Sequence, residues 1–326
     1  MSEVIVRTPS RLHFALMDLN GSLGRIDGSV GVALERPGFR IRLRKLVHGL
    51  SIEGDKAPPF ADRIAHIANM MMERFDLGGL EVIVEEIIPP HWGLGSGTQI
   101  SLALAHGIAR LYGVNLSRKE TPVLVGRGGT SGIGVAAFYE GGFILDGGHR
   151  FPDQKSSYLP SSASKGTSPP PVILRRDFPD EWKLLIVIPP GRHVSGDEEV
   201  KLFTSLCPVP LCEVEKLSHI ILMEMLPALV ERDLDRFGDS IDRIQEVGWK
   251  RIEVEAQEEV VRETMRFLKR EGALGVGLSS WGPALYAVSR DPESLFEKTK
   301  RFLNSLSGNG ICFLAGPNNS GALISG

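Results

Sequence analysis

The sequence predicts an α+β protein of two domains, 1–180 and 181–326, and three observations predict it. A chain of 326 residues is long enough for two ordinary domains. Its first half places short alternating runs ahead of a strand, a glycine-rich loop and a helix, 80–111. Its second half reads strand, helices, two strands, helix, strand, a ferredoxin-like order.

Taken in order, 3–7 is a short strand, interrupted by Pro9 and followed by a second, 10–16. Alternation there puts Leu12, Phe14 and Leu16 on one face and Arg11 with His13 on the other, solvated or lining a cleft. Residues 20–29 form a polar glycine loop that either brings Arg25 and Asp27 to a ligand or simply connects two strands. Strands follow at 30–34 and 39–45. In the second, Arg40, Arg42 and Arg44 alternate with Phe39, Ile41 and Leu43 and read as a solvated sheet face. Residues 62–75 are an amphipathic helix with Ile64, Ala68, Met71, Met72 and Phe75 on one stripe, the methionines as core filler.

The stretch 89–99, Pro-Pro-His-Trp-Gly-Leu-Gly-Ser-Gly-Thr-Gln, is the centre of the chain. A strand, 80–88, leads in. A helix leads out, with Ile100, Leu104, Ile108 and Leu111 at helical spacing and Gly113 as its stop. Such a loop converges backbone N–H groups on an anion, and the helix start adds unpaired donors and a positive dipole end. Gly93, Gly95 and Gly97 let a phosphate approach the backbone. Ser96 and Thr98 can donate hydroxyls or ligate a phosphate-bound Mg²⁺. The stretch is not a Walker A loop, since no Lys-Ser/Thr follows the last glycine, nor the dinucleotide fingerprint.

Residues 117–126 read as a helix with a capping-box spelling, Ser117 and Glu120. A glycine run, 126–134, and the segment 143–149 follow. Residues 154–171, rich in Ser and Pro with Lys155 and Lys165, are a linker or a lid, and we take them as a partly ordered lid. An apolar strand, 183–188, opens the second domain, and the loop 191–199 follows it. Helices cover 212–230, 234–249 and 254–270. Residues 273–288 are a strand, glycine turn, strand unit, 291–306 a helix and 310–315 a last strand.

Composition is that of an ordinary soluble protein, 42% hydrophobic and 24% charged. A net charge of -3 gives no electrostatic argument for nucleic acid or a membrane surface. Cys207, Cys212 and Cys312 lack metal-ligand spacing, and their odd number favours a reduced, intracellular setting. No apolar run approaches a membrane span, and 1–12 lack the apolar core of a signal peptide. The expectation is a cytoplasmic enzyme.

Residues 89–99 resemble the second motif of the GHMP superfamily (galacto-, homoserine, mevalonate and phosphomevalonate kinases), P-x-x-x-G-L-G-S-S-A. Gly97-Thr98-Gln99 stand where the kinases usually have Ser-Ala-Ala. Residues 9–21 sit where the first motif, P-x-R-x-x-L, sits, and 273–288 resemble the third, G-x-x-x-S-G-x-G-P. Kinases of the mevalonate type carry a stretch P-S-G-I-D whose Asp lies near the acceptor hydroxyl. The residue aligned with that Asp is Gly134, which cannot act as a base. More closely, 9–20, 24–31, 92–99 and 126–149 resemble the β-ribofuranosylaminobenzene 5'-phosphate synthases, archaeal GHMP-fold enzymes of methanopterin biosynthesis.

The resemblance implies a ribosomal-protein-S5-like amino-terminal domain, a ferredoxin-like carboxy-terminal domain and a decarboxylating pentosyltransferase. It implies phosphoribosyl diphosphate as donor, 4-aminobenzoate or 4-hydroxybenzoate as acceptor, Mg²⁺, and release of CO₂ and diphosphate. Gly93, Leu94, Gly95, Ser96, Gly97, Thr98 and Gln99 would hold the diphosphate, with Thr130, Ser131, Ser279 and Ser280 closing around it. Arg11, Arg25 and Arg127 are expected to clamp phosphate or carboxylate. Asp27 is expected on the ribose or metal, His13 on the acceptor, and Ser96 with Asp18 on Mg²⁺. Trp92 is a candidate ring wall or a core residue, and Trp281 is expected at the phosphate end. A homodimer working on small molecules, without nucleic acid or membrane, completes the expectation. The alternatives are an ATP-dependent small-molecule kinase, against which Gly134 speaks, and a non-enzymatic sensor that keeps the cleft.

Overall fold

The computed structural model describes residues 2–160, 163–164, 166–191, 197–308 and 310–326. Among these residues, one amino-terminal sheet holds β1 (Glu3–Arg7), β4 (Arg40–Leu46), β5 (Leu50–Glu53), β6 (Gly79–Glu86) and the last strand, β14 (Leu323–Ser325). Its order is β14-β1-β4-β6-β5, antiparallel except for the β5–β6 pair. The arginine row of β4 is a solvated face, as expected, laddered with Glu3, Glu81 and Glu85 on its neighbours. Helices α1 (Ala61–Phe75) and α2 (Ser96–Tyr112) pack on each other, with α2 lying on this sheet. The buried stripe of α1 runs through Ile64, Ile67, Ala68 and Met71.

The second amino-terminal sheet holds β2 (Ser10–Asp18), β3 (Arg25–Leu34), β7 (Phe143–Asp146) and β9 (Val172–Arg176) in that order, with β8 (His149–Arg150) paired to the start of β3. Two expectations change here. Residues 25–29 are strand rather than loop, because β8 pairs with Arg25 and Ile26 and extends β3. The alternation expected over 10–16 breaks at a bulge between His13 and Ala15. The extra residue reverses the parity of the strand, so Leu16 joins Arg11 and His13 on one surface. Gly31 lies opposite the bulge, where a Cβ would fall 2.2 Å from the Leu12 carbonyl.

The expected helix 117–126 shrinks to one turn, α3 (Thr121–Leu124), because Ser117 spends its hydroxyl on a local turn to Lys119 and no box to Glu120 forms. Helix α4 (Ile133–Tyr139) follows and packs on β3 and β2.

The carboxy-terminal sheet holds β10 (Leu184–Ile188), β11 (Gly275–Leu278), β12 (Leu285–Val288) and β13 (Ile311–Ala315) in the order β11-β12-β10-β13, all antiparallel. That is the ferredoxin-like arrangement expected from element order. A helix absent from the sequence reading, α5 (Asp197–Leu206), precedes α6 (Leu211–Ile220) and α7 (Leu226–Glu231). A π turn, Ile221–Met225, separates the last two. Pro227 cannot donate to the carbonyl one turn back, and the ladder widens there. Helices α8 (Leu234–Gln245), α9 (Gly248–Glu255) and α10 (Glu259–Arg270) come next, and α11 (Pro292–Ser305) joins β12 to β13. Gly248, at φ +58°, breaks the expected 234–249 helix and restarts it as α9, which packs on β2. The expected boundary at 180/181 falls between β9 and β10, and the chain after β13 returns to the first sheet as β14.

Candidate active site

A cavity of about 190 Å³ opens where β2, the start of α2, the turn 127–134, α5, α9 and the turn 279–281 meet. Of the expected site residues, Arg11, His13, Thr98, Arg127, Thr130, Ser131, Gly134, Ser280 and Trp281 line it. The sequence reading missed Leu16, Phe203, Glu199 and Glu253.

One wall is cationic. Arg11 reaches back along the glycine loop, its backbone N–H on the Leu94 carbonyl and its guanidinium on the Gly93 carbonyl. Gly95 is required there: it adopts φ +84°, and a Cβ would fall 2.9 Å from the Arg11 side chain. Arg127 donates from Nε to Thr98 Oγ1 at 3.0 Å, which ties the turn 127–134 to the first turn of α2. Burial, then Arg127, pulls Arg11 down to about 10, and burial, then Arg63, does the same to Arg127. Both stay cationic at neutral pH, so the wall favours an anion. Gly134 lines the same cavity, where a Cβ would crowd Thr98 Cγ2 at 3.3 Å.

The opposite side carries carboxylates and aromatic rings. Helix α9 brings a fully buried ion pair, Lys250 with Glu253, and Lys250 Nζ also donates to the Leu278 carbonyl at 3.0 Å. Glu199 and Phe203 lie one turn apart on α5, at a spacing that shares a helix face. Burial, then Glu253, raises Glu199 to about 7, opposed by a hydrogen bond with Trp281 and by Arg11 and Arg127. Phe203, Trp249 and Trp281 stack as an aromatic cluster, with Phe203–Trp249 centroids 4.5 Å apart. His13 is 3% exposed, and among the described residues neither ring nitrogen has a partner. Burial, Arg11 and Lys250 hold its pKa well below the usual value, so the ring is neutral. An unpartnered buried imidazole on a cavity wall is a group prepared for a ligand.

Behind the cavity two networks hold the turn 127–134. Asp27, fully buried at φ +69°, accepts from His149 Nδ1 at 2.6 Å and from Lys155 Nζ at 3.1 Å. His149 Nε2 faces the Gly128 and Ser168 carbonyls at 2.9 and 3.1 Å. Lys155 also donates to Thr130 Oγ1 at 3.1 Å. Asp146 accepts from Gly132 N at 2.9 Å and from Ser29, which in turn meets Ser131 at 2.9 Å. Burial raises Asp146 to about 6.

Several expected contacts are structural instead. Asp27 supports the turn and does not line the cavity. Arg25 donates to the Gly147 and Gly148 carbonyls, both at 2.7 Å, because β8 draws it to that turn. Asp18 lies beyond the bulge and accepts from the backbones of Asn20 and Gly21, a local turn away from the cavity lining. Gln99 is fully buried and donates to the Gly134 carbonyl at 2.7 Å, and Leu94 is core. Ser279 bridges His13 N and the Gly93 carbonyl. Trp92 packs on the main core, and the aromatic side chains that line the cavity are Phe203 and Trp281. Within the expected lid, Pro160 lines the cavity and Leu159 accepts from Lys155 at 2.8 Å. Ser161, Ser162 and Lys165 of that segment, and 192–196 of the loop 191–199, lie outside the described residues.

Among the described residues no three His, Cys, Asp or Glu side chains are grouped to hold a metal. The donor chemistry still suits Mg²⁺, which takes oxygen ligands, keeps waters and is commonly held through substrate phosphates. Ser96, half-buried in the first turn of α2, is not among the residues that line the cavity, whereas Thr98 of the same turn is.

Comparison with known proteins agrees with this architecture. The family model "GHMP kinases N terminal domain" matches residues 62–142, and "GHMP kinases C terminal" matches 225–305. Beta-ribofuranosylphenol 5'-phosphate synthase of Methanocaldococcus jannaschii is 40% identical, over 98% of this chain and 100% of its own. The protein of the same name from Methanothermobacter thermautotrophicus is 42% identical over 99% and 98%. That from Archaeoglobus fulgidus is 44% identical over 91% of each chain. Among solved structures, homoserine kinase from Cytophaga hutchinsonii superposes with a TM-score of 0.68 at 17% identity, covering 100% of this chain and 98% of that one. Mevalonate kinase of L. major in complex with R-mevalonate gives 0.68 at 17% identity, covering 97% and 96%. These two show the fold alone.

Proposed function

We propose, from the fact that this chain belongs to the β-ribofuranosylphenol 5'-phosphate synthase family with a GHMP-kinase fold, that it joins phosphoribosyl diphosphate to a 4-substituted benzoate. The ring carbon bearing the carboxylate bonds to ribose C1, diphosphate leaves, and CO₂ is lost. The product is the C-riboside of methanopterin biosynthesis. The relatives' names specify a phenol, which puts 4-hydroxybenzoate ahead of 4-aminobenzoate as acceptor.

The observation that carries this reading is the pairing of a doubly cationic wall, Arg11 and Arg127, with a glycine at 134. Departure of diphosphate from C1 leaves an oxocarbenium-like centre, so leaving-group charge is what needs stabilising. Arginines and the N–H groups at the start of α2 supply that. Mg²⁺, held by Ser96 and the diphosphate oxygens, would add charge neutralisation. No acceptor alcohol has to lose a proton to a residue at 134, which weighs against the kinase alternative. Phe203 and Trp281 offer a flat wall to the benzoate, and His13 a neutral hydrogen-bonding ring.

The test uses carboxyl-labelled 4-hydroxybenzoate with phosphoribosyl diphosphate and Mg²⁺. Labelled CO₂ and diphosphate should appear in equal amounts. Formation of ADP from ATP and an alcohol, without either product, would favour the kinase. The same reading keeps a cytoplasmic homodimer. Its support is an apolar patch of Leu222, Met223 and Val230, each more than half exposed, on the surface from the π turn to α7.

A further inference from the structure

We propose that Glu199 carries the acceptor's phenolic proton, taking it as the C–C bond forms and returning it as CO₂ leaves. This inference rests on the reaction proposed above and adds a residue that neither the sequence motifs nor the resemblance points to.

The geometry is as follows. Glu199 and Phe203 face the cavity from one side of α5, and Trp281 closes that side. With the diphosphate on Arg11 and Arg127, a benzoate laid on Phe203 and Trp281 with its carboxylate-bearing carbon at ribose C1 has its 4-substituent in the part of the cavity that Glu199 lines. The groups that face Glu199 are Glu253 from α9, Arg11 from β2, Arg127 and the Trp281 indole. Glu253 is committed to Lys250, which leaves Glu199 to exchange a proton. Burial and Glu253 raise Glu199 to about 7, so it is an anion able to accept and an acid able to return at neutral pH.

The step balances. Glu199 takes the O–H proton while the ring carbon forms its bond to ribose C1, and diphosphate leaves with the C1–O electron pair. The ring is then a dienone bearing both the ribosyl group and the carboxylate. The bond to CO₂ breaks, its electrons restore the aromatic ring, and the oxygen regains the proton from Glu199. The enzyme ends in its starting state. A 4-amino group can instead hold the charge as an iminium without losing a proton.

The experiment compares wild type with Glu199→Gln and Glu199→Asp, with circular dichroism to confirm folding. Glu199→Gln should lower kcat on 4-hydroxybenzoate about 100-fold or more, with KM for phosphoribosyl diphosphate little changed. Its loss on 4-aminobenzoate should be smaller. Wild-type kcat should fall as pH drops through about 7, and this limb should vanish in Glu199→Gln. Glu199→Asp should recover part of the rate. If wild type releases CO₂ and diphosphate and Glu199→Gln matches it with the same pH limb, the role of Glu199 is overturned and the reaction stands. If wild type releases neither from any benzoate, the reaction itself falls.

Discussion

Arg127 concentrates the energetics of the site. It is deeply set, its ordinary pKa lowered to about 10 by burial, and its guanidinium donates to the Thr98 hydroxyl. A cation held that way pays desolvation until an anion arrives. Arg127→Ala should therefore cut kcat/KM for phosphoribosyl diphosphate by roughly 2.7–4 kcal/mol, or 10²–10³-fold, the range for removing one transition-state charge donor. Ser96→Ala should lower it less and shift the Mg²⁺ requirement upward. Steady-state kinetics with varied donor and metal read both. If neither substitution lowers turnover appreciably, the diphosphate does not sit on this wall.

Helices α2 and α4 must stay in register for the cavity to keep its shape, since one brings Thr98 and the other Gly134. His106 of α2 and Tyr139, the last residue of α4, hydrogen-bond at 2.7 Å, and Gln99 fixes the other end through the Gly134 carbonyl. Burial, then Arg118, lowers His106 to about 4. The unfolded chain binds that proton near 6.5 while the folded chain refuses it until about 4. Stability from this group is thus present above pH 6.5 and lost as pH falls toward 4. Thermal melts across that window should show the wild type losing stability on acidification, with a shallower slope in His106→Asn. An unchanged slope would mean that His106 is not the group responsible.

The molecule as a whole is closed by its carboxy terminus. After β13 the chain crosses back, Asn318 N donates to the Ala33 carbonyl at 2.9 Å, Ala322 N to the Phe138 carbonyl at 2.7 Å, and β14 pairs with β1. Deleting 322–326 removes that pairing and uncovers the edge of β1. With each backbone hydrogen bond contributing about 1 kcal/mol, the deletion should cost about 2–4 kcal/mol. For a chain of this size that is a fall of roughly 3–6 °C in Tm, with more aggregation at the freed edge. An unchanged melting temperature would show the strap to be dispensable. Among the described residues, no helix is long and apolar enough to cross a membrane.

What the sequence determined by itself is what depends on local chemistry. The glycine loop before α2 was legible because positive φ at Gly93 and Gly95 requires glycine. The ferredoxin-like order was legible because apolar runs and helical periods alternate along the chain, and Gly134 was legible as a missing carboxylate. Only tertiary structure decided the rest. Residues 250–253 fall between the helices expected at 234–249 and 254–270, and Lys250 and Glu253 become a buried wall only because Gly248 turns α9 onto β2. Likewise Glu199 reads as one of several charges in the loop 191–199 until α5 is laid over the cavity. Arg25, Asp18 and Gln99 look like ligand residues in the chain and are consumed by backbone partners far away or close by. The β2 bulge belongs to the same class, since a ladder defect depends on the strand opposite and not on the residues that carry it. Contacts between segments distant in the chain leave no periodic trace, which is why the cationic side of the cavity could be read in advance and the carboxylate side could not.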